Sequence, residues 1–261
     1  MADIALMEKI TKECIEWIRN WFSDKGDTSK AVVAISGGKD STVVAALCVE
    51  ALGKERVVGV MLPQGEQADI SDSIEICDFL GIKSYTINIK ESVDATIKNM
   101  EAAGIIISDQ TKINIPPRER MKTVYAVAQS LNGFVANTCN MSESHVGYST
   151  LFGDISGSFS PLDRLTVSEV IAIGDILKLP KHLVHKVPSD GLCGKTDEDN
   201  LGFLYSEVDE YIRTGKLANE EHRILIDKKY EWNRFKLKMI HIDTYIPSEE
   251  DLPVMIPHEI D

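Results

Sequence analysis

Apolar side chains recur at helical spacing from the start of the chain. Ile4, Met7, Ile10, Cys14, Trp17, Ile18, Trp21 and Phe22 fall on one stripe of a helix over residues 4–22. That stripe is read as facing a core; a dimer face is the other reading. The next apolar stretch differs in kind. Ala31-Val32-Val33-Ala34-Ile35-Ser36 is continuous rather than alternating, as expected for a parallel strand buried on both faces, and it runs through Gly37-Gly38 into a helix over Thr42–Leu52. Val57–Leu62 predicts a second strand followed by a helix over Gln67–Leu80, and Tyr85–Ile89 a third followed by a helix over Val93–Ala103. A helix over Arg118–Leu131 then leads to a fourth strand at Phe134–Asn137. Strands alternating with helices predict an α/β fold, a doubly wound parallel sheet flanked by helices with right-handed crossovers.

The second half is less regular. Helices are predicted over Val167–Lys178, Asp197–Tyr205, Glu207–Thr214 and Glu220–Lys236, with loops at 151–163 and 186–196. Tyr245 to Asp261, with its three prolines and five acidic residues, reads as an irregular surface tail. With no internal repeat, the 261 residues are read as a single domain around an α/β core over about 31–237.

Charge narrows the partners. Against 28 basic side chains stand 41 acidic ones, a formal net charge of −13, so a nucleic-acid binder with a basic face is disfavoured. Any phosphate must then be held by backbone N–H groups and a few placed cations. The five cysteines, Cys14, Cys48, Cys77, Cys139 and Cys193, form no CxxC pair. They predict core residues in a reducing, cytoplasmic protein rather than disulfides or a zinc site. No apolar run approaches the roughly 18 residues of a membrane span. The opening, with Asp3 and Glu8, does not resemble a signal peptide. His182 and His185 lack a third ligand at metal-type spacing and are read as surface or capping residues.

Candidate chemistry concentrates in Ile35-Ser36-Gly37-Gly38-Lys39-Asp40-Ser41-Thr42. A strand ends in two glycines and a helix starts at once. The glycines admit close approach of a ligand to the backbone, and the first-turn N–H groups face it. Ser36, Ser41 and Thr42 add hydroxyls, and Asp40 adds a hard oxygen able to hold Mg²⁺ on phosphates. The spacing is neither that of a Walker A loop nor GxGxxG. The bland alternative is a tight turn with a helix cap.

The Ser-Gly-Gly-Lys-Asp-Ser segment resembles the SGGxDS loop of the ATP pyrophosphatases, which release pyrophosphate from ATP as they adenylate a substrate. Later segments resemble the ammonia-dependent NAD synthetases within that superfamily: Asn114 to Met121 with its Arg118 and Arg120, Asn137 to Glu143, Gly147 to Thr150, Phe152-Gly153-Asp154, Pro188 to Leu192, and Thr196 to Gly202. The resemblance implies a ligase that adenylates the carboxylate of deamido-NAD with ATP and amidates it with ammonia, giving NAD, AMP and pyrophosphate. It implies Mg²⁺ as cofactor and a homodimer; the charge and the lack of a long apolar run, not the resemblance, predict no nucleic-acid or membrane partner. Position by position the resemblance implies that Ser36, Gly37, Gly38, Asp40 and Ser41 cradle ATP, with Thr138 and Ser189 as further ATP contacts; Lys39, at a position the family leaves variable, and Lys195 are read from this sequence as cations available to the phosphates. Asp40 and Glu143 would hold the metal, and Arg118 and Lys236 the dinucleotide. Asp154 would take a proton from ammonium. Solvated-surface readings compete for Glu143, Asp154, Lys236 and Arg118, and Lys39 is read as solvent-facing if it is not a phosphate ligand.

Three positions depart from the family. Leu151 and Val167 stand where many members have lysine, and Ser158 where many have aspartate, so cationic help must come from elsewhere. Lys195, in a loop before a predicted helix, is preferred to Lys39 for that task. No hydrolase motif accompanies the synthetase motifs, which predicts ammonium rather than glutamine as nitrogen source. Two rival readings stand beside this one: another adenylating ATP pyrophosphatase, for example one acting on RNA, and a non-catalytic nucleotide-binding relative.

Overall fold

The computed structural model describes residues 3–186, 196–239 and 242–257. Helix α1 (Ile4–Phe22) is capped by Asp3, which accepts from the Ala5 amide, and it buries Met7, Ile10, Cys14, Ile18 and Phe22. Its stripe faces the core. Strand β1 (Lys30–Ala34) turns through the glycine pair into α2 (Lys39–Leu52), and a 3-10 turn at Lys54–Arg56 leads to β2 (Val57–Met61). There follow α3 (Ile70–Leu80), β3 (Lys83–Thr86), α4 (Lys90–Ala102), α5 (Asp109–Ser130) and β4 (Gly133–Ala136). The remainder comprises α6 (Met141–Val146), β5 (Phe159–Ser160), α7 (Val167–Ile176), α8 (Lys181–Val184), α9 (Asp197–Leu201), α10 (Tyr205–Thr214), α11 (Glu220–Asn233), α12 (Phe235–Met239) and β6 (Asp243–Thr244).

The six strands form one parallel sheet in the order β3-β2-β1-β4-β5-β6, with Val32 in register between Val58 and Val135. Strand order reverses between β1 and β4, and ligands bind at the carboxyl ends beside such a switch point. Alternate side chains of β1 serve two cores. Ala31, Val33 and Ile35 pack with α1, α2 and α7, while Val32 packs with Val58, Val60, Val135 and the α5 residues Val124 and Ala128. Both faces are covered, which is why the strands read as continuous apolar runs. A third cluster, including Met141, Val146, Val167, Leu201, Tyr205, Val208 and Ile226, ties α6 to α9, α10 and α11 beyond the switch point.

Several expected boundaries shift, each for a local reason. α2 begins at Lys39 rather than Thr42, because Gly38 already serves as N-cap. α5 begins at Asp109 rather than Arg118: Ser108 caps it, and Pro116 and Pro117 lie inside it where sequence reasoning stops a helix. Burial of Ile115, Pro116 and Met121 offsets the missing backbone bonds. The helix expected over Asp197–Tyr205 ends at Leu201, where Gly202 takes φ 84°. The surface-extension reading of the tail is overturned. Tyr245 and Leu252 are buried in the main core, Lys9 donates to Asp251 at 2.6 Å, and the Met255 amide donates to the Ile212 carbonyl at 3.0 Å.

Cys14, Cys48, Cys77 and Cys139 are free and buried, as expected of core cysteines. His182 pairs with Glu75 and His185 with Asp175 at the surface. No helix among the described residues is long and apolar enough to cross a membrane.

Candidate active site

The turn after β1 is shaped by two requirements that only glycine meets. Gly37 has φ 78°, and a Cβ there would lie 2.8 Å from Asp72 Cβ and 3.0 Å from the Ser73 amide nitrogen, so α3 presses directly on the turn. Hydroxyls brace it from within. Ser41 Oγ donates to the Gly38 carbonyl at 3.2 Å and accepts from the Ser36 amide at 3.3 Å, while Ser36 Oγ accepts from the Gly38 amide at 3.2 Å. The first-turn amides of α2 lack intrahelical acceptors and open toward the switch point, as an anion site requires.

Asp40 and Glu143 meet at this turn from two different elements. Asn140, N-cap of α6, accepts from the Glu143 amide at 3.0 Å while its Nδ2 donates to Asp40 Oδ1 at 2.9 Å, so one amide side chain links the helices. Lys39 contradicts the solvent-facing expectation. It is 4% exposed, its Nζ lies 2.9 Å from Asp40 Oδ2 and 3.8 Å from Glu143 Oε1, and the Tyr205 ring centroid stands 6.0 Å away. Burial disfavours the Lys39 charge, but the carboxylates of Asp40, Glu143 and Asp197 outweigh it and hold the ammonium above the usual lysine range. Burial and the neighbouring Asp40 push the Glu143 carboxyl up, with Lys39 acting against both. With its side chain 17% exposed, Glu143 is not an ordinary solvated carboxylate, and Asp40 is covered to the same degree. They supply two hard oxygens converging on one cation, a set that suits Mg²⁺ when phosphates and water complete its shell.

A second group lies on the loop after α6. Gly147 (φ 68°) leaves no room for a Cβ beside Asn233, and its carbonyl, with that of Ser149, accepts from Lys236 Nζ at 2.9 and 2.8 Å. Arg118 is exposed on α5, and its Nε donates to the Leu151 carbonyl at 3.1 Å. Thr150 donates from its amide to Asp154 Oδ1 at 2.9 Å and from Oγ1 to Asn114 Oδ1 at 3.0 Å. Asp154 is open to solvent yet hemmed in by protein, and that desolvation raises its carboxyl, while the Thr150 amide and Lys236 pull the other way. The two groups are neighbours. The buried Cys139 thiol is pushed up first by desolvation and then by Asp154 from one group and Glu143 and Asp40 from the other.

The structure thus gathers Ser36, Gly37, Gly38, Lys39, Asp40, Ser41 and Glu143 in one group and Arg118, Asp154 and Lys236 in a second. Thr138 lies half-buried between β4 and α6. Ser189 and Lys195 lie outside the described residues. The departures from the family have structural uses: Ser158 Oγ accepts from the Val135 amide at 3.2 Å, and Val167 is buried against the third core cluster. Sequence reasoning does not single out Asn140 or Tyr205. The N-x-x-E spacing of a capping box could have found Asn140; nothing local marks Tyr205.

A doubly wound sheet with a glycine turn, paired acids and braced hydroxyls at its switch point defines a Rossmann-like α/β protein of the ATP pyrophosphatase type. The model of the NAD synthase family matches residues 10–241. An NH3-dependent NAD+ synthetase of Pyrococcus horikoshii is 39% identical over 206 residues, covering 78% of this chain and 77% of that one. Among solved structures, the NMN synthetase of Francisella tularensis superposes with a TM-score of 0.80 at 30% identity, over 88% of this chain and 95% of that one. The NH3-dependent NAD synthetase of Campylobacter jejuni gives 0.73 at 28% identity, over 93% and 99%. The chain belongs to the NAD synthase family and is an enzyme.

Proposed function

We propose that the chain activates the carboxylate of deamido-NAD with ATP and passes the acyl group to ammonia, releasing AMP and pyrophosphate. The carboxylate oxygen attacks the α-phosphorus, the bond to the β-phosphate oxygen breaks, and pyrophosphate leaves. Ammonia then attacks the acyl carbon, and AMP departs with the former carboxylate oxygen. Such chemistry needs positioning and charge stabilisation rather than a side-chain nucleophile. The carrying observation is the convergence of Asp40 and Glu143 on one cation position beside the glycine turn.

In this reading the Ser36–Ser41 turn holds the phosphates through its amides and hydroxyls, and Lys39 supplies a cation close by. Thr138, Ser189 and Lys195 are further ATP contacts. Asp40 and Glu143 would hold Mg²⁺, which when bound neutralises charge gathering on the leaving pyrophosphate. Arg118 and Lys236 orient the acid substrate, Lys236 by fixing the 147–149 carbonyls. Asp154 accepts a proton from ammonium, for which a raised carboxyl pKa makes it a better base. The whole chain acts as one domain in a homodimer in the cytoplasm.

Formation of NAD that requires deamido-NAD, ATP and ammonium together tests the reading; sustained pyrophosphate release over many turnovers in the absence of the acid or of ammonium would refute it. Ammonium is expected to support turnover and glutamine, with free ammonia scavenged, to fail. Glutamine hydrolysis commonly uses an activated cysteine thiolate, and the four described cysteines are buried. Light scattering checks the dimer. A second reading is favoured by the Francisella tularensis likeness together with Leu151, Ser158 and Val167: the acid is the mononucleotide, and the product NMN. Competition between the two acids for one limiting supply of ATP decides between them.

A further inference from the structure

Lys39 occupies a position that elementary electrostatics disfavours. It is the first residue of α2, where the helix dipole is positive, and it is buried. A lysine in such a place needs anions around it, and Asp40 and Glu143 supply them at 2.9 and 3.8 Å, with Asp197 adding charge from further off. The ammonium is nonetheless loosely held. Of its three donors, one makes a hydrogen bond within the described residues, to Asp40 Oδ2. The Tyr205 ring beside it offers a face rather than an acceptor, and the buried Tyr205 hydroxyl has no hydrogen-bond partner among the described residues.

The oxygen it takes matters. Asp40 Oδ1 is committed to Asn140 Nδ2, which leaves Oδ2, on the side toward Lys39 and Glu143, as the atom a shared cation would use. Lys39 and a divalent ion therefore want the same oxygen.

We propose that Lys39 is a tethered counter-ion: in the metal-free protein it holds Asp40 and Glu143 in position, and on metal binding it yields Asp40 Oδ2 and is freed toward the phosphate turn. This rests on the reading of Asp40 and Glu143 as the metal-holding pair. Two carboxylates facing one another without a cation would repel and move apart, so a resident ammonium keeps the pair preorganised.

The test uses Mn²⁺ alone, without nucleotide, its free concentration read by electron paramagnetic resonance. Lys39→Met is expected to bind Mn²⁺ at least ~5-fold more tightly than the wild type, the lower end of ordinary coupling between sites. A residue with only a structural role would weaken binding or leave it unchanged when lost, and either result overturns the proposal. Should Lys39→Met fail to fold, Lys39→Gln, which keeps a polar side chain beside Asp40 without the competing charge, is expected to tighten binding in the same direction. Nitrogen-detected NMR of lysine ammonium groups in the wild type gives a second readout. One protected resonance, identified by its loss in Lys39→Arg, is expected to shift or vanish at saturating Mg²⁺; its persistence unchanged overturns the displacement. If Mn²⁺ binds neither protein, the metal assignment itself fails and the proposal with it, whereas equal binding to both sinks the counter-ion alone.

Discussion

The phosphate turn and the loop at 147–158 sit side by side but are built on opposite plans. In the turn, six consecutive residues supply glycines, hydroxyls, an acid and a cation, and all are fixed by one strand-to-helix junction. In the loop, the chemistry comes from the loop itself and two remote segments. Arg118 of α5 and Lys236 of α12 are tied to it through backbone carbonyls, and Asp154 is oriented by the loop's own Thr150 amide. The first plan makes a site whose parts cannot be separated from the fold. The second makes one whose geometry depends on contacts a single substitution can release.

Substitutions should divide along that line. Asp40→Asn keeps the hydrogen bond to Asn140 in shape but removes the charge on the side facing Glu143. Turnover should fall by at least ~10²-fold with thermal stability kept near wild type, as expected when charge stabilisation of a leaving group is lost; near-normal turnover would sink the assignment. Asp154→Asn should cost ~10²-fold, in the range for a lost general base. A base must be deprotonated, and the protein crowding Asp154 raises its carboxyl, so the acidic limb of the wild-type pH–rate profile should lie above the ordinary carboxylate range. That limb should disappear in the variant. An unaltered limb would show that Asp154 only shapes the loop.

Lys236→Met should act more gently, because Lys236 holds two carbonyls. The expected outcome is a KM for the acid substrate raised ~10-fold with the KM for ATP nearly unchanged, the pattern of lost uniform binding. Equal changes in both constants would mean that the two regions are not separable. Gly37→Ala probes the turn's backbone instead. With φ 78° and α3 in contact, the alanine should cost about 1–3 kcal/mol of stability, read as a lower midpoint of denaturation. Unaltered stability there would refute the claim that the turn is fixed by the fold.

Sequence reading reached the turn because its parts are contiguous, and reached the sheet because strands buried on both faces leave unbroken apolar runs. It stopped short at α5, where Pro116 and Pro117 mark a helix end locally but are absorbed by burial of Ile115 and Met121. It missed β5 and β6, which have two residues each and so no period to detect. It took the acidic, proline-bearing tail for surface, since two buried anchors, Tyr245 and Leu252, leave no pattern among so many polar neighbours.

What the sequence determined by itself is the α/β class, the glycine turn at a strand end, and the acids and hydroxyls available to it, because these depend on spacing within a few residues. What only the tertiary structure decided is which charges face one another. Lys39 looks like any lysine beside an aspartate until α6 brings Glu143 and Asn140 to the same place, across 100 residues between Asp40 and Asn140. Its burial, and with it the competition for one oxygen of Asp40, follows from packing against Tyr205 of α10, and packing between distant segments is a property that no local spacing encodes.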